Sequence, residues 1–364
     1  MKVGVDGRGL LGGRGIARYT QELLAALTHR FPEDEYRVLV HGEDDDHVPE
    51  GVVRVRGPRS QRALFATMGA TGRPRLDRLL GGDLDVVWAP APAPLAVGRD
   101  VPFVLTLHDL SFEERPSDFT RYERLWHRIA RPSRLVHRAD RLMADSAHTR
   151  ARAAARYGLE PGTLDVVLPG VARPVAAGAR TPPDGSAIPT PGRPFFLAVG
   201  ALEPRKAPEV LTGAFALARS WGLDAELVFA GSGRLAEQLR GPGVHLPGRV
   251  DDAALDALYR GAVAVVMPSW LEGFGFPPLE AAVRGTPAIV SDLPVYDETL
   301  GDAVVRVSPG DVRGLANALL AMADEPDARA RMAARAADAV APLTWERAAD
   351  ATHAVLRAAA EGRR

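Results

Sequence analysis

Residues 1–27 read MKVGVDGRGLLGGRGIARYTQELLAAL. Residues 2–6 form a short apolar run that stops at glycines, after which Ile16, Tyr19, Leu23, Leu24 and Leu27 fall at helical spacing. The order is strand, glycine loop, helix. It returns along the first half of the chain, where 36–41, 52–55, 86–89, 103–108, 141–145 and 165–168 read as strands and 150–157 as a helix. Strands alternating with helices predict a parallel sheet covered on both faces.

The texture changes between residues 172 and 194, which hold Pro174, Pro182, Pro183, Pro189, Pro191 and Pro194 among small residues. Such a composition cannot build a packed core. A second series follows, with strands expected at 195–199, 226–230, 244–246, 264–267, 288–291 and 303–307. Helices are expected near 207–220, 233–240, 252–260, 278–285, 311–324 and 326–340. The expected organisation is α/β: a Rossmann-like domain over 1–175, a Pro-rich linker over 176–194, and a second Rossmann-like domain over 195–342. The two halves would face each other across a cleft. An Ala-rich helix over 345–364 closes the chain after Pro342 and Thr344.

Composition bounds the chemistry. At 364 residues, 46% hydrophobic and 25% charged, the chain can bury two cores and matches ordinary soluble proteins. No apolar run approaches the ~20 residues of a membrane span. The start MKVGVDGRG lacks the regions of a secretory signal, so the expected compartment is the cytoplasm. The absence of cysteine excludes disulfides, thiolate zinc sites, iron–sulfur clusters and cysteine nucleophiles. With 45 basic and 46 acidic residues the net charge is -1, so no whole-molecule field draws the protein to nucleic acid. Any anion must be bound locally. Among the basic residues only Lys2 and Lys206 are lysine, which makes Lys206 an unusual choice for a merely solvated charge.

Three motifs compete for the role of binding site. Gly7, Gly9 and Gly12 form a literal GxGxxG after the first strand, the pattern of a dinucleotide site and of an NAD-dependent oxidoreductase. The context is wrong, because the helix starts later and the nearest candidate ribose-binding acid, Glu43, lies in an acidic loop. A glycine loop that lets backbone amides approach a ligand, through Gly13 and Gly15, fits better. Asp83 and Asp85 resemble a metal-binding aspartate pair, but they stand at the start of a strand. The histidines show no HxH or HExxH spacing, and no metal is expected.

The most specific stretch is PSWLEGFGFPPLEAA, residues 268–282. It places Glu272 and Glu280 around a glycine-aromatic loop, with tandem prolines that open a helix. Free amides and the positive dipole at such a helix start suit a phosphate. A helix-start charge on Glu280 alone would contribute only ~0.3–1 kcal/mol. Two further loops point the same way: Gly200 to Lys206, which carries Arg205 and Lys206, and Gly231-Ser-Gly233. Both follow strands, where ligands of open α/β sheets bind. Arginine grips phosphate oxygens as a fork and lysine acts as a point charge.

With these residues assembled, the chain resembles the retaining glycosyltransferases of family four, which have the GT-B fold, and within them the bacterial mannosyltransferase-like members. The likeness runs through VGVDGRGLLGGRGIARYT, Leu107 to Leu110, Ala144-Asp145-Ser146 with Thr149, Pro169 to Val171, the Gly200 loop, Leu246 to Val250 and the two-glutamate motif. The resemblance implies transfer of a hexose, mannose first, from a nucleotide-diphosphate donor such as GDP-mannose to a glycan, lipid-linked or small-molecule acceptor, without a cofactor. It implies that Arg205 and Lys206 clamp the diphosphate, Glu272 touches sugar hydroxyls and Glu280 the ribose. Gly15, Gly200, Gly231, Gly273, Phe274, Gly275 and Phe276 would line the donor, and Val250 the base. His108 with Asp109 matches the family's His-Asp pair beside the reacting sugar. Ala201 departs from the pattern, since many members carry arginine there. The closing helix matches a family tail that returns to the first domain.

Two other readings use the same residues. A retaining glycosidase would need Glu272 and Glu280 ~5–5.5 Å apart around one glycosidic bond and would have no use for a diphosphate clamp. A sugar-nucleotide-binding protein without catalysis would not need His108. Residues 121–141 hold seven arginines among apolar residues, read first as a solvated face and second as a basic surface for peripheral contact with the inner face of a membrane.

Overall fold

A computed structural model describes residues 1–11, 15–40, 48–58, 60–160, 162–172 and 192–362. The chain divides into two compact units, Met1–Gly170 with Leu343–Arg364, and Val171–Pro342. The expected boundary at 175 therefore moves back: Val171 and Ala172 belong with the second unit, where the Ala172 carbonyl accepts from Arg284 Nη1 at 3.4 Å. Most of the Pro-rich stretch, with Glu43, Gly12 and Gly13, lies outside the described residues.

The first unit is a seven-stranded sheet of β1 (Lys2–Val5), β2 (Glu35–Val40), β3 (Val53–Arg56), β4 (Val86–Ala89), β5 (Phe103–Leu107), β6 (Arg141–Ala144) and β7 (Leu164–Val166). Their spatial order is β3-β2-β1-β4-β5-β6-β7, every pair parallel. The central strands are buried on both faces, which is why β4 and β5 read VVWA and FVLTL rather than alternating. The last helix, Trp345–Glu361, packs in this unit. Gly170 is needed there, since a Cβ would lie 2.3 Å from the Trp345 nitrogen. Arg30 grips Asp350 at 2.6 and 3.0 Å, and His353 stacks on Phe31 at 3.7 Å.

The second unit holds β8 (Phe195–Val199), β9 (Glu226–Ala230), β10 (Val244–Gly248), β11 (Ala264–Met267), β12 (Ala288–Ser291) and β13 (Val305–Val307), in parallel order β10-β9-β8-β11-β12-β13. The order reverses at β1/β4 in one sheet and at β8/β11 in the other. Loops leaving neighbouring strands diverge at such a reversal and open a crevice at the carboxyl edge.

Local differences from the expectations have local causes. The helix expected at 233–240 is only a 3₁₀ turn, Ala236–Leu239, without a side-chain cap. The helix expected at 278–285 begins at Phe276, because Gly275 takes φ 80 and lets Phe276 and the two prolines form its first turn. Glu280 therefore lies beyond that first turn. The segment 121–141 is two helices: Arg121–Ala130, started by a capping box between Thr120 and Glu123, and Pro132–Arg138.

Candidate functional site

The second unit gathers most of the expected donor residues at its β8/β11 reversal. After β8 the chain passes Gly200 and turns through a 3₁₀ segment, Pro204–Lys206. It then holds Ala207 at φ 48, a left-handed conformation that costs a non-glycine residue about 1 kcal/mol or more. After β11 it runs through Ser269 and Trp270 to Glu272. The two loops are pinned by the Trp270 amide, which donates to the Arg205 carbonyl at 3.0 Å. Lys206 Nζ then donates to both oxygens of Glu272, at 2.6 and 2.8 Å. Glu272 is only 6% exposed and Lys206 17%. A carboxylate so buried is tolerated because its counter-ion is this close. Arg205 lies 3.5 Å from Glu203 through Nε.

Backbone proximity explains the glycines of the neighbouring loops. A Cβ on Gly231 would sit 1.9 Å from the Gly200 carbonyl oxygen, and one on Gly233 would sit 2.4 Å from that of Leu202. The Gly200 amide donates to Ala230 O at 3.0 Å and the Leu202 amide to Ser232 O at 3.1 Å, so the loops after β8 and β9 run side by side. Behind the Glu272 loop, Gly273 and Phe274 are buried and Phe274 meets Phe276 edge to face at 5.0 Å. Gly275 faces Tyr296, whose ring would be 2.8 Å from an added Cβ. Burial and then the nearby charge of Glu272 push the Tyr296 hydroxyl well above its ordinary pKa, so it stays neutral.

Glu280 is placed apart from Glu272's partner. It is buried, and its Oε2 accepts from the Tyr259 hydroxyl at 2.7 Å. Each glutamate thus has its own partner, Lys206 for one and Tyr259 for the other. Val250 lies in the loop between β10 and the helix Asp252–Gly261.

In the first unit, His108 follows β5 and its Nδ1 lies 2.6 Å from Asp145 Oδ2, while Nε2 lies 2.7 Å from the Pro90 carbonyl. Both partners are acceptors, so both ring nitrogens must carry protons for both bonds to form. Burial alone lowers the His108 pKa, but the charge and hydrogen bond of Asp145, the charge of Asp109 and the Pro90 carbonyl together outweigh it, and the net direction is upward. The imidazolium is held by the ends of three adjacent strands, β4, β5 and β6. Tyr19 stands against the ring edge to face at 4.7 Å.

The carboxylate bonded to His108 is therefore Asp145 rather than its sequence neighbour. Asp109 Oδ1 accepts from the Ser111 amide at 2.9 Å and its hydroxyl at 2.7 Å, starting the short helix Ser111–Glu114. The sequence carried a signal for Asp145. Leu107 pairs with Ala144, so the residues that follow each strand, His108 and Asp145, emerge side by side.

The competing motifs take structural roles. Residues Gly7–Leu11 fold as a 3₁₀ turn in which Arg8 binds Asp6, donates to the Pro94 carbonyl at 2.9 Å and lies 3.7 Å over Phe65. Gly15 opens the helix Gly15–Arg30 with nothing within 4 Å of a Cβ position. Asp83 binds Lys2 at 2.5 Å and also Arg37, and Asp85 accepts from the Lys2 amide at 2.9 Å. Among the described residues no three histidine, aspartate or glutamate side chains gather as metal ligands, and no helix is long and apolar enough to cross a membrane.

Comparison with known proteins bears on the family and the fold. The family model for Glycosyltransferase Family 4 matches residues 13–173, and that for Glycosyl transferases group 1 matches residues 186–339. A D-inositol 3-phosphate glycosyltransferase of Kribbella flavida is 32% identical over 64% of this chain and 60% of its own. The glycogen synthase of Mycobacterium tuberculosis is 32% identical over 76% of this chain and 68% of its own. The chain thus spans about 60% of the length of the first of these curated relatives. Anabaena Alr3699/HepE in complex with UDP-glucose superposes with a TM-score of 0.68 over 97% of this chain and 99% of that one, at 18% identity.

Proposed function

This chain belongs to the family 4 glycosyltransferases of GT-B fold, and we propose that it moves a hexose, with retention, from a nucleotide-diphosphate sugar to an acceptor. The observation that carries the reading is the pairing of Lys206 with Glu272 beside Arg205 at the β8/β11 reversal. A diphosphate entering there would meet the two cations and the amides at the start of the helix Phe276–Val283. Those groups would stabilise the negative charge that develops on the leaving phosphate. Glu272, already oriented by Lys206, would take sugar hydroxyls. Glu280, fixed by Tyr259, would take the ribose. Val250 would meet the base, and Gly200, Gly231, Gly273, Phe274, Gly275 and Phe276 would approach the donor through the main chain. Gly15, at the start of the helix Gly15–Arg30, would by the family resemblance offer a main-chain amide to the donor.

His108, doubly protonated and held by Asp145 and Pro90, has no lone pair with which to remove a proton. That favours attack from the face the phosphate leaves, with the departing phosphate taking the acceptor's proton. His108 then acts as a fixed positive charge, and Asp109 shapes the loop that follows it. The named relatives act on different acceptors, an inositol phosphate and glycogen, so the acceptor class remains glycan, lipid-linked or small-molecule. GDP-mannose leads the donor panel on the sequence resemblance, with UDP-glucose beside it because the Anabaena structure holds UDP-glucose. Peripheral contact with a membrane would use the exposed arginines of the two helices over 121–138.

The test is a panel of sugar nucleotides scored by thermal shift and by donor hydrolysis, followed by the anomeric configuration of the product. One sugar nucleotide should stabilise the protein and be turned over with its configuration kept. Stabilisation by NAD alone, or cleavage of an aryl glycoside without nucleotide, would contradict the reading; binding without turnover would leave a non-catalytic protein.

A further inference from the structure

Outside the donor site, the first unit carries a groove of about 310 Å³. It is lined by Arg124, Arg128 and Arg131, with His127, Phe112 and Phe119 at its wall. Several neighbouring arginines are ion-paired: Arg115 with Asp118, Arg152 with Glu114, Arg156 with Glu113. The side chains of Arg124, Arg128 and Arg131 make no hydrogen bond or ion pair among the described residues. Glu113, the one acid on the groove, is already held by Arg156 at 2.6 Å and by the Tyr157 hydroxyl at 3.2 Å. The groove therefore carries three arginine side chains that have no ion-pair partner among the described residues.

The backbone sets one of them in place. Arg131 joins the two helices at φ 49, a left-handed conformation that glycine would adopt without strain. The ring of His127 is stacked on Phe112 at 5.2 Å and meets Phe119 edge to face at 5.3 Å. Its Nδ1 is buried with no hydrogen-bond partner among the described residues. Planar forks around a cavity suit a tetrahedral anion whose several oxygens can each accept from a different guanidinium, whereas a carboxylate satisfies one fork.

We propose that this groove is a phosphate site, in which Arg124, Arg128 and Arg131 grip the oxygens of a phosphate ester and the His127 ring forms its back wall. The site is independent of the donor reading. The phosphate could belong to a soluble molecule or to a lipid headgroup, and the two sources are separable. Inorganic phosphate is titrated calorimetrically, and vesicles of phosphatidylglycerol are compared with vesicles of phosphatidylcholine by co-sedimentation. In the double variant Arg124→Gln/Arg128→Gln, whichever probe binds should lose about tenfold or more in affinity per arginine, the size of one charge-assisted contact. Arg121→Gln, on the same helix but outside the groove, should bind as the wild type does. Donor hydrolysis without acceptor should be unchanged in both variants, so a failure of the donor reading registers in a different assay. The proposal is overturned if the wild type binds neither probe, if the double variant binds as tightly as the wild type, or if Arg121→Gln weakens binding as much as the double variant.

Discussion

Replacing Asp145 with asparagine keeps the shape of the His108 partner and removes its charge. The amide oxygen can still accept from Nδ1–H, so the geometry of the 2.6 Å contact survives. What changes is the reason for the second proton. The charge-assisted bond is worth about 1.5–3 kcal/mol, so without that charge the His108 pKa should fall. A neutral ring then leaves one nitrogen lone pair facing the Pro90 carbonyl. The sign with pH follows from linkage. His108 has a raised folded-state pKa, so its stabilisation is full below the unfolded value of about 6.5 and is lost as pH rises through the folded pKa. Asp145→Asn should therefore destabilise most at the acid end of that window and least above it. The ring carbon–proton resonance of His108, followed by NMR titration, reads the site directly, and thermal unfolding at several pH values gives the energy. An unchanged His108 titration with an unchanged stability profile would refute the doubly protonated ring.

Lys206→Met and Glu272→Gln should each destabilise the second unit, and the double variant should recover part of the loss. A coupling of about 1–3 kcal/mol in a double-mutant cycle is expected for a pair at 2.6 and 2.8 Å, and an additive cycle would dissolve it. Gly275→Ala should cost about 1–3 kcal/mol and weaken nucleotide binding, because the new methyl meets the Tyr296 ring at 2.8 Å and the residue must hold φ 80; thermal shift with and without nucleoside diphosphate measures both effects. Tyr259→Phe should cost about 1–3 kcal/mol by leaving the buried Glu280 carboxylate without its 2.7 Å donor, and a wild-type melting temperature would contradict that role.

Much of the fold was legible because buried parallel strands are written as short, nearly uninterrupted apolar runs. VVWA, FVLTL, AVVM and AIVS mark the centres of both sheets without ambiguity. Strand order is not written locally, and it is strand order that brings Lys206 to Glu272 and His108 to Asp145. The Lys206 and Glu272 loops were recognised separately as candidates, and the parallel β8/β11 pairing explains why they meet. Asp109 adjoins His108 in sequence, whereas Asp145 lies 37 residues on and reaches the ring only across the β5/β6 pair. A side chain one residue on in sequence bonded a turn; the one across a strand pair reached the ring.

Helix limits failed where backbone conformation rather than side-chain pattern decided them. Apolar periodicity places the helix after the two-glutamate motif at the prolines, yet the left-handed Gly275 starts it at Phe276. The arginine-rich segment read as one interrupted face, and the groove appeared only once the turn at Arg131 folded its two helices into place.

In the proposed reaction a donor diphosphate is gripped at the β8/β11 reversal. A crystal structure of this protein with bound GDP or UDP tests it most directly. Phosphate oxygens should lie within hydrogen-bond distance of Lys206 Nζ and the Arg205 guanidinium, with the chain amides at Gly275 and Phe276 turned toward them. A diphosphate seated instead on the Gly7–Leu11 turn, or anywhere that leaves Lys206 bonded to Glu272 alone, would contradict it.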